Sequence, residues 1–369
     1  MSKEVYFADL HCSHNNNKLD KIRRLLQRFP DRIHQGDLTA IKIHFGEIGN
    51  DSFISTIFAR EAVNFAKAAG AKPFITDTNT LYSGSRHNAA DHINTATLHG
   101  FVQSVIDCPV IIADGLKSRN YRDVTLPDSA GDTVIKKFHI AGDILDADSM
   151  IVMSHFKAHE MAGFGGAIKN LGMGCAPAAG KKDQHSTRQF VRHDKCVGCG
   201  ICARICPEHA AVVTDGKANI NSDICIGCGE CMANCPQHAV DIDWTTEIIP
   251  FVKRLTEYAY ASVADKQGKV IYLNFLTNIV PDCDCCGLSD TPIVRDIGFL
   301  ASDDPVALDK ASYDLVNAQP GFSDTRLTEN LQPGADKFKG LRQFTEGQIQ
   351  FEYGEQIGFG TTDYTLIKV

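Results

Sequence analysis

From residue 5 onward, short apolar runs alternate with stretches whose apolar positions recur at helical spacing. "VYFADL" reads as a strand, "KLDKIRRLLQRF" as a helix, "LTAIKIHF" as a strand, "SFISTIFAREAVNFAKAAG" as a helix closed by Gly70, and "KPFITDT" as a third strand. "NAADHINTATLHG" is again helical, whereas "PVIIAD", "TVIKKFHI" and "SMIVMSHF" are strand-like. This β-α-β alternation predicts an α/β fold with a mostly parallel sheet and helices on both faces.

The pattern breaks near residue 186, where a segment rich in Cys, Pro and Gly runs to about residue 243. It holds an internal repeat: "CVGCGICARICP" from Cys196 returns as "CIGCGECMANCP" from Cys225. Afterwards a helix ("TTEIIPFVKRLTEYAYASVA"), the strand "KVIYLNFL", the apolar "IVRDIGFLAS" and the helix "DPVALDKASYDLVNA" resume the α/β pattern. The chain therefore divides into a first part of the core (1–185), an inserted α+β module (186–243), and a second part of the core with a C-terminal tail (244–369). "YTLIKV" is a candidate last strand.

Composition narrows the function. Hydrophobic residues at 43% and charged residues at 22% are ordinary for a globular chain, and 369 residues can bury a sizeable core. A formal charge of −8 argues against nucleic acid or an anionic membrane surface as partner. The opening "MSKEVYFADLHCSH" lacks the apolar run of a signal peptide, so a cytoplasmic protein is expected. In a reducing compartment, 14 cysteines point to metal or redox chemistry more than to disulfides.

Eight of them have a recognisable spacing. Cys196, Cys199, Cys202 and Cys206, followed by Pro207, follow C-x2-C-x2-C-x3-C-P, and Cys225, Cys228, Cys231 and Cys235 with Pro236 repeat it. Three thiolates of one tight loop grip one cluster while the fourth reaches the other. One 4Fe-4S cluster is thus assigned to Cys196, Cys199, Cys202 and Cys235, and a second to Cys225, Cys228, Cys231 and Cys206. The alternative, a pair of zinc knuckles, explains the C-x2-C pairs but not two complete four-cysteine runs. Over about fifty residues the segment resembles the bacterial two-cluster ferredoxin module.

Ligands of open α/β sheets bind beyond the carboxyl ends of the strands. There the sequence offers His44, then Asp77, Asn79 and Arg86, then the stretch "SHFKAHEMAGFGGAIKNLGMGC". His155 and His159 share a face whether that stretch is extended or helical; pocket histidines are preferred over a metal pair. Gly163, Gly165 and Gly166, ahead of Lys169 and Asn170, have the look of a backbone nest opening a helix, where N–H groups and a lysine hold an anionic cofactor or substrate. A tight turn before an amphipathic helix explains them equally well.

Three more thiols, Cys283, Cys285 and Cys286, occupy "CDCC" after the strand "KVIYLNFL". If extended, Cys283 and Cys285 point the same way, which makes that pair the candidate thiol or metal element and Cys286 a packing residue.

Together "IKIHFGEIGN", "TDTNTLYSGSRHNAADHINTATLHGF", "SHFKAHEMAGFGGAIKNLGMGC", the two cluster motifs, "CDCC" and "GFLASDDPVALDKASYDLV" resemble the domain-of-unknown-function family 362, in its form that carries a two-cluster ferredoxin module. The resemblance spans roughly residues 4 to 320. It implies the fold, the two clusters and an oxidoreductase role, with no established reaction.

The resulting expectation is an iron–sulfur oxidoreductase that passes low-potential electrons to a substrate or second redox centre in a polar pocket, with a redox partner protein as electron donor or acceptor and a small anionic molecule as the candidate substrate. Lys157 and Lys169 are candidates for anion binding, and His44, His155 and His159 for proton transfer or metal ligation. The competing expectation is a ferredoxin-type carrier whose α/β part docks onto a partner enzyme. No G-x-G-x-x-G follows the first strand, so the nicotinamide or flavin fingerprint is absent there.

Overall fold

A computed structural model describes residues 2–186, 188–243 and 247–369. Its centre is one eight-stranded sheet built from β1 (Lys3–Asp9), β2 (Leu38–Lys42), β3 (Lys72–Asp77), β4 (Val110–Ile112), β5 (Ser149–His155), β6 (Val270–Leu276), β7 (Gly298–Ser302) and β8 (Tyr364–Lys368). The spatial order is β8-β1-β7-β6-β5-β2-β3-β4. All neighbours pair parallel except β7, which runs antiparallel to both β1 and β6. The reversal has a simple origin: the connection from β6 to β7 carries no helix among the described residues, and a parallel neighbour needs a crossover.

Helices cover both faces, as the alternation predicts. Against one face pack α1 (Lys18–Leu26), α2 (Thr56–Ala68) and α3 (Ala89–Leu98), with Ile22, Val63 and Ala96 meeting Ile41, Ile75, Ile151 and Leu273. Against the other pack α4 (Ala167–Gly174), α5 (Ala178–His185), α6 (Ile248–Ala261), α7 (Pro305–Asn317) and α8 (Ile349–Gln356), with Leu171, Leu255 and Leu308 meeting Val152, Tyr272 and Leu300. Strands β5 and β6 are buried along their whole length, which is why they read as continuous apolar runs rather than alternating ones. Each large aliphatic or aromatic side chain so buried contributes about 1.5–3 kcal/mol.

Local signals set the helix ends. Asn17 accepts from the amides of Leu19 and Asp20 while Asp20 accepts from that of Asn17, a capping box that starts α1. Asp304 caps α7, with Pro305 at the first helical position. One expected strand is mostly absent: of "TVIKKFHI" only its end joins Phe138–Ala141, which pairs with Tyr121–Val124 outside the main sheet. The amides of Val134 and Ile135 instead donate to the Glu257 carboxylate, so the run is tied down as a loop.

The cysteine-rich segment leaves and rejoins the core at one place, because Arg188–Val191 pairs antiparallel with Val240–Asp243. Between them a second small ladder joins Ala211–Thr214 to Lys217–Ile220. Thr245 and Thr246, the first residues of the predicted helix that follows, lie outside the described residues; the helix itself begins at Ile248. Among the described residues, no helix is long and apolar enough to cross a membrane.

Candidate functional site

Strands β5, β2 and β3 are adjacent, and a cavity of about 120 Å³ opens beyond their carboxyl ends, walled by α4 and α5. Into it point Lys42, Asp77, Lys157, Lys169, Lys181 and Arg86, with His44, His155, His159 and His185. Cationic groups outnumber anionic ones. Lys42 is paired with Asp77 at 3.0 Å, Lys157 with Asp284 at 2.9 Å and Arg86 with Glu47 at 3.2 Å. Lys181 differs: its Nζ donates to Thr78 Oγ1 and the Ala176 carbonyl, both at 2.6 Å, and no carboxylate among the described residues lies within ion-pair distance. Burial pulls this ammonium down to about 8. Burial and the nearby Arg86 also push His44 down to about 3, so its ring is neutral; Gly46 N–H donates to its Nδ1.

Several side chains expected to meet a ligand are engaged within the protein. His155 has Nδ1 2.9 Å from Asp284 Oδ1 and Nε2 2.9 Å from the carbonyls of Thr277 and Asn278, so both ring nitrogens are engaged within the protein. That corrects its expected part in metal ligation or proton uptake: it fixes the loop after β6. Lys157 is spent on the same Asp284 and on the His155 carbonyl. Asn170 accepts from Lys42 and donates to Met153 O and Ser154 Oγ. Asn79 is fully buried and donates to Asp114 and the Gly115 carbonyl, away from the cavity.

The expected anion nest is also corrected. Gly165 and Gly166 line the cavity and Gly163 does not. The amides that open α4, those of Ala167 and Ile168, donate to the Asp309 carboxylate at 2.8 and 2.9 Å. The helix start already holds an anion, delivered by α7, and an added Cβ at Gly166 would meet Asp309 Oδ1 at 2.4 Å.

The "CDCC" residues form a turn rather than a strand: the Cys286 amide donates to the Cys283 carbonyl at 2.9 Å. Cys283 and Cys285 still meet, because the turn folds one sulfur toward the other. Lys169 Nζ donates to Cys283 Sγ at 3.2 Å. Bonding from Cys285, with Lys169 and Lys157 close by, holds the Cys283 thiol well below its ordinary range despite burial. Cys286 is half-buried and donates to Glu160 Oε1 at 3.3 Å, which replaces its expected packing role. The ligating atoms of His159, Cys283 and Cys285 lie within 4.8 Å of one another, as do those of Glu160, Cys285 and Cys286.

In the cysteine-rich segment the structure gathers two separate sets. One cavity is walled by Cys196, Cys199, Cys202 and Cys235, the other by Cys206, Cys225, Cys228 and Cys231. Each draws three cysteines from one run and one from the other. Gly198, Gly200, Gly227 and Gly229 all have φ between 66° and 73°, which bends the loops around these cavities. Amides of Ala218, Ala210 and Ala239 donate to the sulfurs of Cys196, Cys206 and Cys235 at 3.4, 3.2 and 3.3 Å. Four thiols, a tight glycine loop and N–H groups aimed at sulfur are the donor set that an iron–sulfur cluster requires.

The second cavity adjoins the cationic pocket. Lys182, beside Lys181 on α5, donates to the Cys225 carbonyl, and Lys117 pairs with Glu230 at 2.9 Å. Leu81, which lines the pocket, packs with Ala178, Ile242 and Met232, and a Cβ at Gly229 would meet His87 at 2.6 Å.

The sequence places Lys42 at the end of the second strand, Lys181 in a basic stretch before the cysteine-rich segment and Asp284 between the paired thiols, but it assigns none of these side chains a partner. Lys42 carries a usable signal, a charge inside the otherwise apolar run "AIKIHF"; Asp284, two residues after Asp282, and Lys181, in a basic stretch, have nothing to mark their burial.

The model of a family described as a domain of unknown function, DUF362, matches residues 39–314. No curated protein matches the chain. Among solved structures it is similar to the lactate racemase apoprotein from Thermoanaerobacterium thermosaccharolyticum (15% identity, 75% of this chain and 51% of that one, TM-score 0.37). A protein from Thermotoga maritima is also similar (10% identity, 72% and 52%, TM-score 0.34). The chain spans about half the length of both.

Proposed function

The chain belongs to the DUF362 family, and on that premise we propose that it is an iron–sulfur oxidoreductase delivering electrons to a small anionic substrate in the pocket above β5, β2 and β3. Two 4Fe-4S clusters, held by the two cysteine sets within residues 186–243, supply one-electron transfer at low potential. The observation that carries the reading is the contact between the second set and the pocket: pocket-lining Leu81 packs on Met232, next to Cys231, and Lys182, next to pocket-lining Lys181 on α5, donates to the Cys225 carbonyl. A carrier that only docks would need no such juxtaposition.

The chain's own residues have separable tasks. Lys181 and Lys169, neither within ion-pair distance of a carboxylate among the described residues, attract and orient the anion. Low-dielectric walls strengthen that attraction. Asp77 and Asp284 keep the other cations in place. On the far side, exposed Cys199 and Val197 present the first set to a redox partner protein that supplies electrons.

The test is re-oxidation of the anaerobically reduced protein by 2-oxo acids, enoates and carboxylate-bearing disulfides, each beside a neutral analogue. At least one anionic acceptor should outpace its neutral counterpart, and Lys181→Met should slow it at least tenfold with the cluster spectrum unchanged. Equal rates for anionic and neutral acceptors, insensitive to that substitution, would leave only an electron carrier.

A further inference from the structure

We propose that Cys283 and Cys285 form a dithiol–disulfide couple that holds an electron pair between the cluster module and the cationic pocket. The proposal rests on the oxidoreductase reading and supplies what it lacks, a way to turn single electrons into a pair.

Geometry carries it. The turn closed by the Cys286 amide folds Cys283 and Cys285 together, with their sulfurs within 4.8 Å of each other. Cys283 is buried and Cys285 lines the pocket, so the couple reaches from the protein interior to the ligand space. Lys169 sits 3.2 Å from Cys283 Sγ and has no carboxylate partner among the described residues. A buried ammonium whose neighbour is sulfur is balanced when that sulfur is a thiolate.

The same residues speak against a metal bridging His159, Cys283 and Cys285. The amides of Met161 and Ala162 both donate to His159 Nδ1, at 3.1 Å, so the ring proton resides on Nε2. A ligating histidine must present a bare nitrogen to the metal and donate from the other. His159 is therefore fixed as a hydrogen-bond donor toward the thiol turn.

The chemistry balances. On reduction the Cys283–Cys285 S–S bond breaks and two electrons enter, the pair that two reduced one-electron clusters would supply. Cys285 takes up one proton as a thiol, and Cys283 remains a thiolate opposite Lys169. On closure the sulfur–sulfur bond re-forms, the proton leaves, and the electron pair passes to the anionic substrate that accepts it.

The test uses the whole protein under argon, equilibrated with graded ratios of reduced to oxidised dithiothreitol, alkylated, digested and weighed. Iron is measured on the same samples. The peptide carrying residues 283–286 should pass from fully alkylated to a Cys283–Cys285 disulfide as the buffer becomes oxidising. Cys286→Ser should preserve that transition, and Cys283→Ser should abolish it. Lys169→Met removes the cation that stabilises the reduced form, so its midpoint should move at least threefold toward more reducing ratios, a shift that mere loosening of the turn would not give. Absence of the disulfide in the unsubstituted protein, or a stoichiometric metal beyond cluster iron that Cys283→Ser releases, overturns the proposal. Loss of iron with the disulfide transition intact would instead overturn the cluster reading alone.

Discussion

Gln189 offers a sharp test of how the second cysteine set works. It is 4% exposed and places its side-chain oxygen 3.2 Å from Cys225 Sγ, while its amide nitrogen is buried with no partner among the described residues. A thiol can donate to that oxygen; a cluster-bound thiolate cannot. With iron bound, the amide turns over and its N–H donates to sulfur, which uses the orphaned nitrogen. A hydrogen bond to a charged partner contributes about 1.5–3 kcal/mol, and the bond is stronger to the more negative, reduced cluster. If about 1 kcal/mol of it distinguishes the two oxidation states, Gln189→Leu lowers that cluster's potential by about 40 mV, taking 59 mV and 1.4 kcal/mol per factor of ten. The assay is a redox titration followed by electron paramagnetic resonance. The set of Cys196, Cys199, Cys202 and Cys235 serves as the internal reference. An unshifted potential, or an equal shift in both clusters, refutes the reasoning.

Gly198 has φ +66°, and an added Cβ would meet the Gly216 carbonyl oxygen at 2.3 Å, so Gly198→Ala should lose the first cluster and about half the iron, read by metal analysis. Asp284→Asn leaves Lys157 buried without its charge partner and should destabilise by about 3–5 kcal/mol, seen as a fall in denaturation midpoint. Lys181, depressed to about 8 by burial, is charged below that value and neutral above it. Sulfate, whose own charge is constant there, should bind the pocket with affinity falling through about pH 8 by calorimetry, and Lys181→Met should flatten the profile.

The sheet was legible because β5 and β6 are buried on both faces and so appear as unbroken apolar runs. The pocket was legible because strand ends collect polar side chains. What the sequence hid were the partners. Asp309 arrives from α7 to fill the start of α4, and Asp284 arrives from the long β6–β7 connection to take up His155 and Lys157. Periodicity places residues on faces, but it does not say which buried acid neutralises which base. The meeting of Cys283 with Cys285 came about through a turn instead of a strand, since any fold that returns on itself within three residues also joins i to i+2. "TVIKKFHI" misled for a related reason: Glu257, distant in sequence, supplies the acceptors that a neighbouring strand would have offered.

The electron-transfer function depends on the two cysteine sets holding clusters. Iron and acid-labile sulfide, with spin quantitation after dithionite reduction under argon, tests this most directly. About eight irons, about eight sulfides and up to two spins per chain are expected. One or two zinc ions, no labile sulfide and no reducible signal would contradict the account at its base.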